Sequence, residues 1–306
     1  STEGLQFRLL DDDTYEVSDY TGTATEVNIP STYNGKKVTS IGDSAFYNCS
    51  SSSITIPSSV THIGRYAFKG CWKLAKLEIP NGLTSLGCEA FSNCRGLKYN
   101  EDNMAEYLGN NDNPYLVLMS VKSTETSFTI NEKTKFIYDD AFEMCNGLTS
   151  ITIPDGVTSV GNGAFDGCSS LKYNEDENAK YLGNASNSYL VLVCPTSNVI
   201  TSCKINKETK VIADDAFNGS SVSSISIPDS VTHIGYKAFY DCSNLTSVTL
   251  GNGVTSIGRV AFGCCGNLTS ITVGDANNNY KSKDSNLYTK DGKTLIQYAI
   301  GKLDTS

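Results

Sequence analysis

The sequence predicts a β-rich solenoid, in which the chain winds into short coils that stack along one axis. One observation is a repeat, because the dipeptide Ala-Phe recurs at steps of 22 or 23 residues, apart from two long steps of 51 and 52. Another is the alternation of apolar and polar residues ahead of each Ala-Phe, which is typical of a short strand with one buried face. A fixed period in the low twenties indicates that each coil buries its apolar side against its neighbours. The repeat phenylalanines are Phe46, Phe68, Phe91, Phe142, Phe165, Phe217, Phe239 and Phe262.

The first element of each repeat is a predicted strand that ends about twelve residues before the phenylalanine. In one repeat Ile54 and Ile56 flank Thr55, and Pro57 then ends the strand, since proline cannot donate a ladder hydrogen bond. We expect nine such strands to pair as one continuous parallel sheet. Its outward face would carry Asn28, Thr55, Glu78, Thr129, Thr152, Lys204, Ser226, Thr249 and Thr272.

A second apolar column lies five residues before each phenylalanine, as at Ile63 and Ile234. Glycine follows this column in six of the eight repeats, as at Gly64 and Gly235. The pattern predicts a second short extended piece and a sharp corner, followed by the tight Ala-Phe bend.

These columns combine into the pattern I-P-x-x-V-T-x-I-G-x-x-A-F-x-x-C, which is clearest in 56–71, 153–168 and 227–242. The pattern resembles the BspA-like leucine-rich repeat, and the resemblance covers nearly the whole chain. It implies a right-handed leucine-rich repeat superhelix with a parallel sheet, on a secreted or surface-displayed bacterial protein that often has an adhesive role. Related repeats in some eukaryotic parasites leave the kingdom open.

The two long steps contain inserts that are near-copies of one another. Residues 97–118 and 171–192 share 16 of 22 residues. Within the first copy, residues 107–108 and 115–118 are predicted to pair as a hairpin across a loop of turn-forming residues. A third hairpin is predicted near the C-terminus around Asp291-Gly292. We place the hairpin inserts at about 98–127, 172–202 and 277–300.

The two ends of the chain differ from the repeats. Residues 1–27 lack the Ala-Phe motif and are expected to form an N-terminal β cap over a solenoid at 28–306, because solenoids need their open ends covered. Thr305-Ser306 follows a hairpin, as Thr126-Ser127 does just before a predicted strand. The sequence thus stops at a position where another coil would begin. The hypothesis at this stage is therefore a C-terminal truncation within a longer repeat protein.

Seven of the eleven cysteines occupy one slot, three residues after the repeat phenylalanine. One small thiol per coil predicts a buried packing column, since the spacing is neither a C-x-x-C pair nor a zinc motif. Cys194 and Cys203 fall outside this slot and are the candidates for a disulfide. The column consists of Cys49, Cys71, Cys94, Cys145, Cys168, Cys242 and Cys265.

No catalytic set, metal site or cofactor site is predicted. The only histidines, His62 and His233, occupy a slot that holds serine in other repeats, which favours surface side chains over a catalytic role. A net charge of −9 argues against nucleic acid as a partner. No apolar run is long enough to span a bilayer.

Two surfaces are candidates for recognition. The outward sheet face is flat and hydroxylated but lacks aromatic anchors, so a merely solvated face is the alternative. The hairpins carry regularly spaced tyrosines that could bind a partner with little entropic cost, unless they cover the hairpin's own apolar face. These tyrosines are Tyr99, Tyr107, Tyr115, Tyr173, Tyr181, Tyr189, Tyr280, Tyr288 and Tyr298.

The sequence-based hypothesis is a non-enzymatic recognition or adhesion scaffold, secreted or at the cell surface. Its expected partner is a host extracellular-matrix protein or a glycan, and the chain is expected to be a monomer. The alternative is a structural spacer that displays another module of a longer surface protein.

Overall fold

A computed structural model describes residues 2–122 and 124–301 of the chain, and Thr305 and Ser306 lie outside the described residues. Within these ranges every regular element is a β-strand, and none is an α-helix. The chain divides into two compact units, Ser1–Ser123 with Lys133–Ala141 (unit 1) and Thr124–Glu132 with Phe142–Ser306 (unit 2). Each unit is a stack of coils of about 23 residues, so the predicted β-solenoid class is confirmed.

The strands are short, because each coil is extended over only two to six residues before it turns. Those before residue 123 are β1 (Leu5–Leu9), β2 (Tyr15–Tyr20), β3 (Glu26–Asn28), β4 (Thr32–Tyr33), β5 (Lys36–Ile41), β6 (Ser53–Thr55), β7 (His62–Ile63), β8 (Lys76–Leu77), β9 (Ser85–Leu86), β10 (Asn100–Asp102), β11 (Ala105–Leu108) and β12 (Val117–Val121). Those after it are β13 (Ser127–Thr129), β14 (Phe136–Ile137), β15 (Ser150–Thr152), β16 (Ser159–Val160), β17 (Asn174–Glu175), β18 (Ala179–Leu182), β19 (Val191–Pro195), β20 (Ser202–Lys204), β21 (Val211–Ile212), β22 (Ser224–Ile227), β23 (His233–Ile234), β24 (Ser247–Leu250), β25 (Ser256–Ile257), β26 (Ser270–Val273), β27 (Tyr280–Lys283), β28 (Asn286–Thr289) and β29 (Leu295–Gln297).

Unit 1 contains two parallel ladders, an N-terminal hairpin, a short hairpin of β4 and β5, and the antiparallel strands of the insert. β3, β6 and β8 form one ladder, and β2, β5, β7 and β9 form the other. The N-terminal hairpin of β1 and β2 continues the second ladder, and its Tyr20 ring lies 5.2 Å from that of Phe46. In the insert, β10, β11 and β12 are antiparallel, and β12 then pairs in parallel with β14.

Unit 2 repeats this plan. β13 and β15 form one parallel pair, and β20, β22, β24 and β26 form a longer parallel ladder. The insert strands β17, β18 and β19 are antiparallel, and β19 continues in parallel through β21, β23 and β25. The predicted hairpin pairings are confirmed at all three places, with Leu108 opposite Val117, Leu182 opposite Val191 and Tyr288 opposite Leu295.

The prediction of one continuous nine-stranded sheet is wrong. In unit 2 the insert interrupts the sheet, because Gly183 forms a parallel bridge with Thr152 and its carbonyl accepts the Ile153 N–H at 2.9 Å. In unit 1 the Gly109 carbonyl likewise accepts the Ile79 N–H at 2.9 Å. Each of these two inserts therefore supplies a winding of its own at the sheet, in addition to a hairpin.

The repeat phenylalanines stack as predicted. In unit 1 the Phe46 and Phe68 rings lie 5.2 Å apart and nearly parallel, and Phe91 follows at 5.8 Å. In unit 2 the Phe239 ring lies 5.2 Å from that of Phe217 and 5.3 Å from that of Phe262. Neighbouring coils thus bury large aromatic side chains against one another, which contributes to the apolar burial of the stack.

The Ala-Phe bend is held by backbone hydrogen bonds between coils. The Phe46 N–H donates to Ala67 O at 2.7 Å, and the Phe239 N–H donates to Ala261 O at 2.7 Å. In each bend two residues have positive φ, one of them two positions before the phenylalanine and the other two positions after it. These conformations explain why the chain turns so tightly there. These residues are Ser44, Asn48, Tyr66, Gly70, Glu89, Asn93, Asp140, Met144, Gly163, Gly167, Asp215, Gly219, Lys237, Asp241, Val260 and Cys264.

The corner glycines serve close packing between coils. A Cβ atom on Gly64 would lie 2.5 Å from the Asp43 backbone nitrogen, and one on Gly235 would lie 2.5 Å from that of Asp214. Neither glycine has a positive φ. The recurrent glycine is therefore explained by the short distance to the preceding coil, a cause that the sequence pattern alone does not reveal.

Candidate functional site

The outward sheet face presents rows of polar side chains in register. In unit 2, Ser226 lies between Lys204 and Thr249, and Thr249 is followed by Thr272, whose hydroxyl donates to that of Thr249 at 3.1 Å. Most of the predicted residues on this face are exposed, and Glu78 is half-buried. Those that are exposed are Asn28, Thr55, Thr129, Thr152, Lys204, Ser226, Thr249 and Thr272. The structure thus places these side chains in solvent, in rows that a ligand could reach.

The hairpin tyrosines are for the most part not a free surface. Tyr107 and Tyr181 are fully buried. The Tyr107 ring makes an edge-to-face contact with the Tyr115 ring at 5.4 Å, and the Tyr181 ring makes the same contact with the Tyr189 ring at 5.3 Å. The Tyr181 hydroxyl also accepts the Asn206 N–H at 3.1 Å. For Tyr107 and Tyr181, the structure supports the alternative that they cover the hairpin's own apolar face.

The remaining hairpin tyrosines are largely covered as well. Tyr99, Tyr115, Tyr173, Tyr189, Tyr280 and Tyr288 are half-buried. Burial raises the pKa of Tyr99 to about 12 and also raises that of Tyr173. Tyr298 is 44 % exposed. A binding role for this set stays a prediction, whereas eight of the nine sheet-face residues are exposed.

The thiol column is buried, as predicted, and the thiols also form hydrogen bonds. The Cys71 thiol donates to Phe46 O at 2.9 Å, and the Cys265 thiol donates to Phe239 O at 3.1 Å. At five of the seven column positions the thiol thus links its coil to the phenylalanine carbonyl of the preceding bend. The described residues contain no disulfide.

The suggested Cys194–Cys203 bond is wrong, because both thiols are unbridged. Cys194 lies on β19 opposite Lys180, whereas Cys203 lies on β20 in a different sheet. Burial raises the pKa of Cys203 to about 12 and that of Cys168 to about 11, so these thiols are protonated at neutral pH.

We expect Cys264 to react with iodoacetamide well before Cys242 and Cys265 in the folded chain. Cys264 is exposed, whereas Cys242 and Cys265 are buried in the column, and alkylation requires an accessible thiolate. Peptide mass spectrometry after a short pulse at pH 8 measures the order, and the three should label alike in denaturant. Labelling of Cys242 as fast as Cys264 would show that the column is open.

The two histidines occupy the first position of equivalent strands, β7 in unit 1 and β23 in unit 2. His62 is exposed and His233 is half-buried. Each Nδ1 lies beside the hydroxyl of the preceding threonine, Thr61 at 2.7 Å and Thr232 at 2.8 Å. Partial desolvation of the rings lowers the pKa of both imidazoles, although His62 keeps an exposed edge.

The acidic side chains of the first insert surround a cavity of about 280 Å³. There Lys122 pairs with Glu106, and Ser120 Oγ donates to the same carboxylate at 2.8 Å. Although burial acts in the opposite direction, these two hydrogen bonds hold the pKa of Glu106 below its ordinary value.

No group of three or more His, Cys, Asp or Glu in the described residues is arranged to hold a metal ion. In the same ranges no helix is long and apolar enough to cross a membrane.

Two exposed aromatic residues were missed by sequence reasoning. Trp72 is 58 % exposed and Tyr47 is 54 % exposed. Both lie in unit 1, Tyr47 within an Ala-Phe bend and Trp72 in the loop that follows the next bend. The signal that could have found Trp72 is its departure from the small polar residues that most repeats carry at the same slot.

The two stacks of coils, with a thiol and a phenylalanine at fixed slots, define a β-solenoid repeat protein. Residues 19–109, 121–190 and 196–290 match the BspA type leucine rich repeat region, in six copies. The chain therefore belongs to the BspA type leucine-rich repeat family, as the sequence pattern predicts. Fold and family together indicate a surface repeat scaffold of the bacterial kind, and repeat proteins of this class are generally non-enzymatic.

Solved structures similar to this chain are bacterial leucine-rich repeat proteins. A leucine rich cell surface protein from Faecalibacterium prausnitzii is 24% identical over 93% of this chain and 90% of its own, with a TM-score of 0.38. A leucine-rich repeat protein from Bacteroides ovatus is 26% identical over 90% of this chain and 70% of its own, with a TM-score of 0.38. The pneumococcal vaccine antigen PcpA is 17% identical over 92% and 82%, with a TM-score of 0.29. No match is found among curated proteins.

Proposed function

We propose that this chain is a non-enzymatic recognition scaffold, displayed on a bacterial surface or secreted, which binds a host protein or a glycan. The observation that carries the proposal is that some positions of each coil are buried for packing while others are exposed and polar. The recurrent phenylalanine, cysteine and corner glycine all serve packing, whereas polar rows such as Lys204, Ser226 and Thr249 lie exposed and in register. Such rows offer an extended surface that varies without disturbing the stack.

The family of bacterial surface proteins supports an extracellular location for this chain. The net charge of −9 makes nucleic acid an unsuitable partner. We expect the folded chain to be a monomer, because the column residues that make the stack cohesive are already buried within each unit.

The experiment is a binding survey with the immobilised chain over extracellular-matrix proteins and a glycan array. We expect saturable binding to at least one protein or glycan. The matched variants carry Lys204→Ala, Ser226→Ala and Thr249→Ala on the sheet face, or Tyr107→Phe and Tyr181→Phe in the hairpins. If the sheet face makes the contact, only the first set weakens binding, because the two tyrosines are buried.

A second candidate is a structural spacer that holds another module away from the cell envelope. The observation that favours it is the absence of aromatic side chains from the outward sheet face, since interfaces draw most of their energy from Trp, Tyr and Arg. A survey that finds no saturable binding on any protein or glycan supports the spacer and contradicts the recognition function.

A further inference from the structure

Unit 1 differs from the repeat consensus in the loops that lead from the Ala-Phe bend to the next strand. The fourth residue after the phenylalanine is small or polar in six of the eight repeats, but it is Trp72 and Arg95 in two successive ones. In a repeat protein, a slot that tolerates serine has no packing demand for a large side chain. The six consensus residues are Ser50, Asn146, Ser169, Ser221, Ser243 and Gly266.

The exposure of these side chains shows that they do not serve the core. Trp72 is 58 % exposed, and Tyr47, in the bend of the preceding coil, is 54 % exposed. Trp72 is the only tryptophan of the chain. A large aromatic ring gains little free energy of folding when more than half of it stays in water. Exposed Trp and Tyr rings are instead the side chains that contribute most to binding a partner.

Backbone hydrogen bonds place the three loops side by side. The Asn48 N–H donates to Lys69 O at 2.8 Å, and the Gly70 N–H donates to Ser92 O at 2.8 Å. Further along, the Lys98 N–H donates to Ala75 O at 3.3 Å. Trp72 and Arg95 occupy the same slot in successive coils, and a Cβ atom on Gly96 would lie 2.8 Å from Trp72 O, so these two loops share one surface. We name it the basic-aromatic edge, and it consists of Trp72, Lys73, Arg95 and Lys98.

The charge of this edge is opposite to that of the chain. Lys73, Arg95 and Lys98 are exposed, and no carboxylate of the described residues lies within ion-pair distance of any of them. Lys69, by contrast, is paired with Glu89. Three cations without acidic partners form a positive patch on a chain of net charge −9. Such a patch attracts an acidic partner and orients it.

Trp72 links the aromatic and the basic character of the edge. The Lys73 Nζ atom lies 4.7 Å from the centroid of the Trp72 ring, which is cation–π distance. The charge is thus held next to the ring, so a ligand that contacts the indole also meets a cation. A partner that satisfies both must combine carboxylates with an apolar or aromatic side chain.

We propose that the basic-aromatic edge binds an acidic polypeptide segment that carries aromatic side chains. Its carboxylates would pair with Lys73, Arg95 and Lys98, and its rings would pack on Trp72. A polypeptide is favoured over a sulfated glycan because large exposed Trp and Tyr rings are characteristic of protein interfaces. The proposal rests on the proposed recognition function and adds to the sheet face a second binding surface in unit 1.

The single tryptophan makes the edge directly measurable, because intrinsic tryptophan fluorescence reports only Trp72. The probe is a random copolymer of glutamate and tyrosine, titrated at low and at physiological salt. We expect a saturable change in tryptophan emission that is much smaller with polyglutamate, which lacks the rings. In Lys73→Glu and Arg95→Glu the Kd should rise about tenfold or more, because each reverses a charge at the contact.

Matched controls reverse exposed charges elsewhere, in Lys207→Glu and Lys293→Glu, and should leave the Kd unchanged. Far-UV circular dichroism checks that each variant is folded. No saturable change with the copolymer, or an equal Kd for edge and control variants, would overturn the proposal. Tighter binding of dextran sulfate than of the copolymer would overturn it in favour of a sulfated glycan.

The same variants separate this proposal from the recognition function. If the survey finds a saturable ligand but the copolymer gives no saturable change in Trp72 emission, the edge proposal fails and the recognition function stands. If neither the survey nor the copolymer shows saturable binding, both fail.

Discussion

Replacing Phe239 by alanine is expected to destabilise unit 2 by about 3–5 kcal/mol. The ring is fully buried and lies between Phe217 at 5.2 Å and Phe262 at 5.3 Å, so its loss leaves a cavity with a ring on each side. Cavities of this kind collapse only partly, and their cost adds to the lost transfer free energy. Urea unfolding followed by circular dichroism measures the change in midpoint.

The control for this substitution is Val199→Ala in the same unit, where the side chain is 77% exposed. Its effect should stay within about 0.5 kcal/mol, as for most surface substitutions. A Phe239→Ala midpoint no lower than that of Val199→Ala would mean that the ring column does not stabilise the stack.

Substitution of Gly235 by alanine is expected to cost about 1–3 kcal/mol or more, although it adds only one methyl group. The new Cβ would lie 2.5 Å from the Asp214 backbone nitrogen, and 2.6 Å from the Ala213 carbonyl carbon. Since both are backbone atoms, relief requires the two coils to move apart. The comparison is Gly266→Ala in the same unit, where nothing lies within 4 Å of the new atom and the φ is not positive.

We expect Gly266→Ala to leave the unfolding midpoint unchanged or slightly raised, because alanine restricts the unfolded chain more than glycine does. Equal effects of the two substitutions would contradict the explanation of the corner glycines by close approach between coils. Both variants are measured by the same urea titration.

The coil itself was predictable because its determinants are local and recur. The spacing of Ala-Phe, and the alternation around residues such as Ile54 and Ile56, define a strand and a bend in every repeat. Repetition then implies that like side chains stack, which the rings of Phe46 and Phe68 confirm. The hairpin at Asp291-Gly292 was predictable for the same reason, since its turn chemistry lies within a few residues.

The interruption of the sheet was not predictable, because it depends on where an insert returns to the stack. Nothing local to Gly183 indicates that it bridges Thr152, which is 31 residues away in the sequence. The burial of Tyr107 and Tyr181 has a similar origin, since a regular spacing of tyrosines does not tell which side of a hairpin faces the core.

The exposed Trp72 was within reach of sequence reasoning but was not used. Aligning the eight repeats by their phenylalanines shows tryptophan where serine, asparagine or glycine usually stands. Whether such a departure is exposed or fills a gap depends on the packing of adjacent loops, which the repeat pattern does not specify.

The central claim is that successive coils stack in register within each unit, with phenylalanine above phenylalanine. A crystal structure of the chain tests it most directly. The account predicts Phe46, Phe68 and Phe91 in one row with ring centroids 5.2 and 5.8 Å apart, and the Cys71 thiol on Phe46 O. Phenylalanines dispersed through a globular core, without contact between neighbouring repeats, would contradict it.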